Sequence, residues 1–333
     1  MARWCHAVVA AVVVAQLGLG RTVDAQQARP AAPGPAKVGF LHEGVEAANV
    51  ATVDALTKGL SDHGFVDGQT ARLILRWGQD RPERLAGLAS DLVTQQVSVI
   101  VTGGPASALA AKSATRTIPI VFTAVNDPVR FGLVASLNRP GGNITGSAGL
   151  TTDLDAKRLE FLAQVASPSG IIGVLVNRSR PNVNEQIAAI EAAARSVSRK
   201  TIVMPVGTAD EIEKAIPYLA ERRASGILIG ADPFLSGRRG QLIQLMARYR
   251  LPAIFQWREF ADDGGLMSYG PSRTQAYFQS GIYAGRILKG DKPQDLPVEQ
   301  PTRFDFVINL KTAKLLGIEV PPSLLAFATE VIE

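Results

Sequence analysis

Residues 97–127 read VSVIVTGGPASALAAKSATRTIPIVFTAVND. The β-branched apolar runs at 97–101 and 118–122 are too short for helices and are bounded by turn residues, so they read as buried parallel strands. The small-residue segment between them reads as a helix. Thr102-Gly103-Gly104-Pro105 ends the first strand and opens that helix: proline suits a first helical position, and the glycines let backbone approach a ligand. Such a β-turn-α-β unit leaves a polar crevice at its strand ends, where open α/β sheets bind their ligands.

The same order of elements returns later. Ser225-Gly226-Ile227-Leu228-Ile229-Gly230 is followed by Ala231-Asp232-Pro233, a helical pattern through Arg248 and an apolar run at 251–255. The repetition predicts two α/β lobes whose strand ends face each other across a small-molecule cleft. Working outward, strands are expected at 37–41, 71–76, 171–176, 201–206 and 265–269, and 144–149 reads as an edge strand or as the first crossing between the lobes. The strands alternate with helices at 47–63, 82–95, 153–165, 183–198, 210–222 and 274–288, the spacing of βαβ units. A short helix is expected after Asp127-Pro128, and Asn138-Arg139-Pro140-Gly141-Gly142-Asn143 is a loop. The divisions that follow are an N-terminal lobe over 37–150, a C-terminal lobe over 151–270, and a crossover helix with a last segment over 271–333 packing on both.

The chain has 333 residues, 46% hydrophobic and 20% charged, enough for two domains with an interlobe cleft. Its net charge of +5 is modest, and lysines and arginines are interspersed with acids, so nucleic-acid binding is not expected. The start is Met1-Ala2-Arg3, an apolar run at 7–19 and the small-residue site Val23-Asp24-Ala25. It predicts an export signal cleaved after about Ala25, with an uncleaved anchor as the alternative although the apolar run is short for a membrane span, then a flexible Ala/Pro/Gln-rich lead over 26–36 and a periplasmic mature protein. The single cysteine, Cys5, falls inside that signal, which excludes disulfides, a thiol nucleophile and thiolate metal ligands from the mature chain.

Signatures of catalysis fail one at a time. The stretch 141–146 has the outer spacing of a phosphate loop, but Ser147-Ala148 stands where Lys-Ser/Thr is required. There is no G-x-S-x-G elbow, no H-E-x-x-H and no G-x-G-x-x-G after the first strand. Only His42 and His63 remain after the signal, without metal-ligand spacing, and Asp262-Asp263 beside glycines reads as a turn. No catalytic residue, metal or cofactor is expected.

Binding chemistry is present at the strand exits. The helix start at Gly104, Pro105, Ala106 and Ser107 offers free N–H groups and a positive dipole end to a ligand carboxylate, and the Ser107 hydroxyl adds a donor; a tight turn explains the glycines almost as well. Thr123 and Asn126 lie at the next exit, ahead of Asp127. Asp127 before Pro128 and Asp232 before Pro233 are helix caps on the simpler reading and partners of a ligand amine on the other. Asn177 and Asn182 bracket the first exit of the second lobe, as turn formers or as ligand contacts. Trp257 offers a stacking surface and Glu259 an amine partner, with lobe packing the equal alternative. Tyr269 closes a strand beside the same cleft, and Arg76-Trp77 reads as a lobe-surface pair.

These residues carry a resemblance. IPIVFTAVNDPVRFGLVASLNRPGGNITG, GADPFLSGRR, PAIFQWREFADDGGLMSYG, GIYAGRILKG and FVINLKTAKLLGIEVPPSLLAFATEVIE, in that order, resemble the bacterial substrate-binding proteins of ABC importers in the tryptophan/tyrosine-type family. The resemblance runs from about Lys37 to Glu333. It implies a type I periplasmic-binding-protein fold: α/β, with two doubly wound parallel-sheet lobes joined by a hinge. It further implies a receptor that closes on a small organic solute, with aromatic amino acids favoured, and delivers it to a membrane permease with its ATPase, without catalysis. The family's glycine turn matches Gly103-Gly104, and its two Asp-Pro pairs match Asp127-Pro128 and Asp232-Pro233. Two departures lie where a ligand would touch: Arg178, Ser179 and Arg180 intrude between Asn177 and Pro181, and His42-Glu43-Gly44 replaces a serine- and glycine-rich exit. Glu43 joins the candidate contacts on that ground. The chain is expected to act as a monomeric solute receptor; a periplasmic sensor module and an exported α/β enzyme are the rivals.

Overall fold

The structure, a computed structural model, describes residues 34–150 and 152–333. The expected export signal and residues 26–33 of the lead lie outside them. The first lobe is built from β1 (Ala36–His42), α1 (Val50–Ser61), β2 (Ala71–Trp77), α2 (Leu85–Thr94), β3 (Val99–Gly103), α3 (Pro105–Ala114), β4 (Ile120–Val125) and β5 (Ile144–Ala148). Its five strands run parallel in the order β2-β1-β3-β4-β5. β3 is buried at every position, as a central strand covered on both faces must be, which is why it reads as an unbroken apolar run.

The second lobe follows with α4 (Asp155–Val165), β6 (Ile171–Asn177), α5 (Val183–Ser196), β7 (Thr201–Val206), α6 (Ala209–Glu221), β8 (Ala224–Ile229), α7 (Pro233–Gly237), α8 (Arg239–Tyr249), β9 (Ala253–Phe255), α9 (Arg258–Asp262) and β10 (Met267–Gly270). After α10 (Arg273–Leu288) come β11 (Asp305–Asn309), α11 (Leu310–Leu316), α12 (Pro322–Leu325) and β12 (Glu330–Ile332). The sheet order is β12-β11-β10-β9-β8-β6-β7, with only β10 and β11 antiparallel. Each sheet carries an apolar layer on both faces.

Between those two stretches α10 returns to the first lobe and packs on α1, β3, β4 and β5. A Cβ on Gly59 would lie 2.1 Å from Phe278 O, and one on Gly281 2.2 Å from Leu56 O, so α1 and α10 meet backbone to backbone where neither has a side chain. The chain therefore crosses between the lobes three times: after β5, between β10 and α10, and ahead of β11. The last crossing is fastened to β5, since Glu299 O accepts from Ala148 N at 2.7 Å and Glu299 N donates to Gly146 O at 3.0 Å.

One expected helix is absent. Residues 128–132 form a turn, with Asp127 at φ 42° and Gly132 at φ 63° bounding it. Asp127 Oδ1 accepts from Arg130 N at 3.0 Å, so the Asp-Pro pair caps a turn, and the left-handed glycine ends it before a second hydrogen-bonded turn can form.

Candidate ligand-binding cleft

The two sheets present their strand exits to each other, and the lobes are in contact. Arg238 Nη2 donates to Asp80 Oδ2 at 2.9 Å and Arg130 Nη2 to Glu185 Oε1 at 2.9 Å, both across the cleft. Between the lobes lies a chamber of about 40 Å³, walled by Gly104, Pro105 and Thr123 on one side and Arg180, Asp232 and Trp257 on the other. A larger cavity of about 580 Å³ lies along the crossings. The two share Ala124 and Trp257. Ala124 reaches both because the β4–β5 register shifts between Phe122 and Val125 and Ala124 takes φ 53°, a bulge that re-aims the strand end.

On the first-lobe wall the decisive residue is Glu43, half-buried just beyond β1. Its Oε1 accepts from Ala106 N at 2.6 Å and from Ser107 N at 3.3 Å. The N–H groups expected to receive a ligand carboxylate are thus taken by a carboxylate of this chain. Ser107 Oγ donates back to Gly103 O at 2.8 Å and also lies 3.0 Å from Gly104 O, so it too is engaged within the turn. Gly104 has φ 96°, and a Cβ there would fall 2.4 Å from Glu43 Oε1, which makes glycine a requirement of the turn and of the cap together. Burial, reinforced by repulsion from Asp232 and opposed by the two N–H groups, pushes the Glu43 carboxyl up to about 8. Beside it His42 is buried against Phe40, Trp77 and Tyr277, with Nδ1 accepting from Gly44 N at 2.9 Å. Burial and the neighbouring Arg273 hold it down at about 3, so it is a neutral imidazole at neutral pH. Arg76 and Trp77 part company, the first pairing with Asp91 at 2.7 Å and the second packing on His42.

On the opposite wall Asp232 serves two neighbours at once. Its Oδ1 accepts from Phe234 N at 2.8 Å, capping α7, and from Asn177 Nδ2 at 2.9 Å. Its Oδ2 is buried with no hydrogen bond, 3.6 Å from Arg180 Nη1. Arg180 is itself held by Ala231 O at 2.6 Å and Asn182 Oδ1 at 2.9 Å. Burial raises the Asp232 pKa although Arg180 opposes it. Trp257 Nε1 donates to Ser236 Oγ at 3.2 Å. Glu259 Oε1 lies 3.7 Å from Arg273 Nε, while Arg273 Nη2 donates to Ala48 O at 3.0 Å, so this arginine links the lobes.

Of the residues singled out in the sequence, Glu43, Gly104, Pro105, Thr123, Asp232 and Trp257 converge on the cleft, with Thr123 Oγ1 2.8 Å from Ser280 Oγ. Ala106 and Ser107 lie behind Glu43, and Asn177 and Asn182 hold Asp232 and Arg180. Glu259 faces Arg273 without lining either cavity, and three fall elsewhere. Asp127 is exposed on its turn, Asn126 Nδ2 donates to Thr152 Oγ1, and the Tyr269 ring packs on Phe161 and Phe306 at 5.1 and 6.0 Å. The Tyr269 carbonyl, for its part, receives Arg158 Nη1 at 3.0 Å. Arg180, Arg273, His42 and Tyr277 also line the cleft without having been named as candidate contacts, although His42 stood in an exit already marked as a departure. Arg180 stood in the polar exit already marked as unusual; Arg273 and Tyr277 arrive on α10, whose docking no local pattern announces.

Among the described residues no group of three or more His, Cys, Asp or Glu could hold a metal ion, and no helix is long and apolar enough to cross a membrane. Residues 42–332 match the model of the ABC transporter substrate binding protein family. The chain belongs to that family. This substrate-binding protein is 27% identical over 263 residues to the tyrosine-binding protein of Clostridioides difficile (strain R20291), covering 79% of this chain and 75% of that one. A conserved domain protein of Vibrio cholerae O1 biovar El Tor superposes with TM-score 0.81 at 28% identity, over 89% of this chain and 99% of the other. An ABC domain from Streptococcus pneumoniae in complex with L-Trp superposes with TM-score 0.79 at 24% identity, over 90% of this chain and all of the other, and attests the shared fold. A solute receptor of an ABC transporter needs two lobes with a cleft between them, and the cleft described above lies between the two sheets.

Proposed function

We propose that this substrate-binding protein works in the periplasm, captures an aromatic amino acid or a compact derivative of one between its lobes, and presents the closed form to a permease with its ATPase. The observation that carries the reading is Trp257, one side chain forming part of the wall of both the small interlobe chamber and the larger cavity beside it. A flat solute laid against that indole would reach both, its polar head in the chamber among Thr123, Arg180 and Asp232. The similarity to a tyrosine-binding protein supports the aromatic class. Ligand binding need only favour the closed arrangement over an open one, and the Asp80–Arg238 and Glu259–Arg273 pairs supply contacts that exist when the lobes meet.

Native mass spectrometry of the mature protein, purified without denaturation, tests the reading, followed by small-angle scattering with the recovered or candidate solute. An aromatic mass that compacts the protein is the expected result, and Trp257→Ala should weaken its binding about tenfold or more. A solute without a ring, or a bound aromatic that causes no compaction, would overturn it.

A further inference from the structure

We propose that Glu43 is a built-in carboxylate occupying the seat of a ligand carboxylate at the N-terminus of α3, so that the solute is an amine or amide without a free carboxylate, its donor head directed to Asp232 Oδ2. The inference rests on the receptor reading above and narrows its solute class. A helix start with free N–H groups and its dipole is the natural anchor for an amino acid's carboxylate. Here Ala106 N and Ser107 N are both spanned by Glu43 Oε1, and Gly104, whose missing side chain makes room for that carboxyl, lines the chamber.

The arginines that could replace the helix are each held by groups of this chain. Arg180 reaches Ala231 O and Asn182 Oδ1, and Arg273 reaches Ala48 O and faces Glu259. Among the residues that wall the chamber, one acceptor, Asp232 Oδ2, and one donor, Arg273 Nε, are buried without a hydrogen bond; the donor already faces Glu259 Oε1 at 3.7 Å. Asp232 is 5% exposed and faces the chamber, so an N–H-bearing head group would complete it, whereas a carboxylate there would set a second anion against Asp232 beside the Glu43 carboxyl. At about 40 Å³ the chamber admits an ammonium-sized head and leaves the body of the solute to the cavity beyond Trp257.

The test is titration calorimetry on the full chain with matched pairs: tyrosine against tyramine and tyrosinamide, tryptophan against tryptamine, leucine against leucinamide. Wild-type protein should bind amine or amide at least tenfold tighter than the parent amino acid. Glu43→Ala, which vacates the helix start, should narrow that preference at least tenfold by gaining affinity for the amino acid. Glu43→Gln keeps an oxygen at the two N–H groups and should retain the preference, so it also reads out the wild-type architecture if the alanine variant folds poorly. Equal or tighter binding of the amino acid by wild-type protein, no gain in Glu43→Ala, or no binding of any amine at millimolar concentration would each overturn the proposal. Should only leucinamide bind, with leucine rejected, the aromatic reading falls and the exclusion of carboxylates stands.

Discussion

Glu43 Oε1 lies 2.6 Å from Ala106 N, joining the exit of the first strand to the start of a helix 63 residues later in the chain. The bond caps the helix that the glycine turn creates, and it places a carboxyl group with a raised pKa at the mouth of the cleft.

That carboxyl couples folding to pH. Its ordinary value is 4.5 and its value in the fold about 8, so between them the folded protein keeps a proton that the unfolded chain releases. The contribution is full below pH 4.5, declines as pH rises and is lost above 8. His42 works in the other direction, at about 3 in the fold against 6.5 unfolded, and its contribution is lost as pH falls through that lower window. Glu43→Gln should therefore gain stability on wild type between about pH 5 and about pH 9, read from urea midpoints, while the decline of both below about pH 5 stays parallel. A stability difference that is the same at both pH values would contradict the assignment.

Arg238 and Asp80 pair across the cleft, and the Asp80 side chain is 6% exposed there. Arg238→Ala leaves that carboxylate uncompensated only while the lobes are shut, so the closed form should lose about 1 kcal/mol and ligand affinity about fivefold. Scattering of the ligand-free variant should show a larger radius of gyration than wild type; an unchanged radius would mean the pair does not govern closure.

Gly104 stands between Glu43 and Pro233, whose Cγ would lie 3.1 Å from an added Cβ. Gly104→Ala combines a φ of 96° with these two clashes and should cost about 2 kcal/mol in denaturant unfolding. Because Pro233 belongs to the other lobe, the same variant should also bind solute more weakly than its stability loss explains, which calorimetry well below the melting transition can separate.

Arg180 is the buried cation that faces Asp232. Arg180→Met keeps much of the volume and removes the charge, leaving Asp232 buried among neutral groups; the expected loss is about 3 kcal/mol. Adding Asp232→Asn should recover part of it, and a double variant as unstable as the sum of the two single ones would show that the residues do not interact.

The strands were legible because their burial is written locally. Unbroken β-branched runs such as Val99–Gly103 can be stable only when covered on both faces, and the repeat of that run with a turn and a helix at 225–255 foretold the second lobe. The short helix after Pro128 was misread because proline and aspartate mark a turn as readily as a helix start, and only the left-handed Gly132 decides between them.

From its sequence alone this protein was determined to be a two-lobed α/β chain with polar strand exits at Gly104, Asp232 and Trp257, because hydrophobic periodicity and turn chemistry act over a few residues. Which of those polar groups remain open to a solute was decided only by tertiary structure. Glu43 fills the helix start at Ala106, Asn182 holds Arg180, and α10 carries Arg273 back from the second lobe to the first. Hydrogen-bond satisfaction joins groups remote along the chain, and no local pattern records which acceptor a buried donor will find.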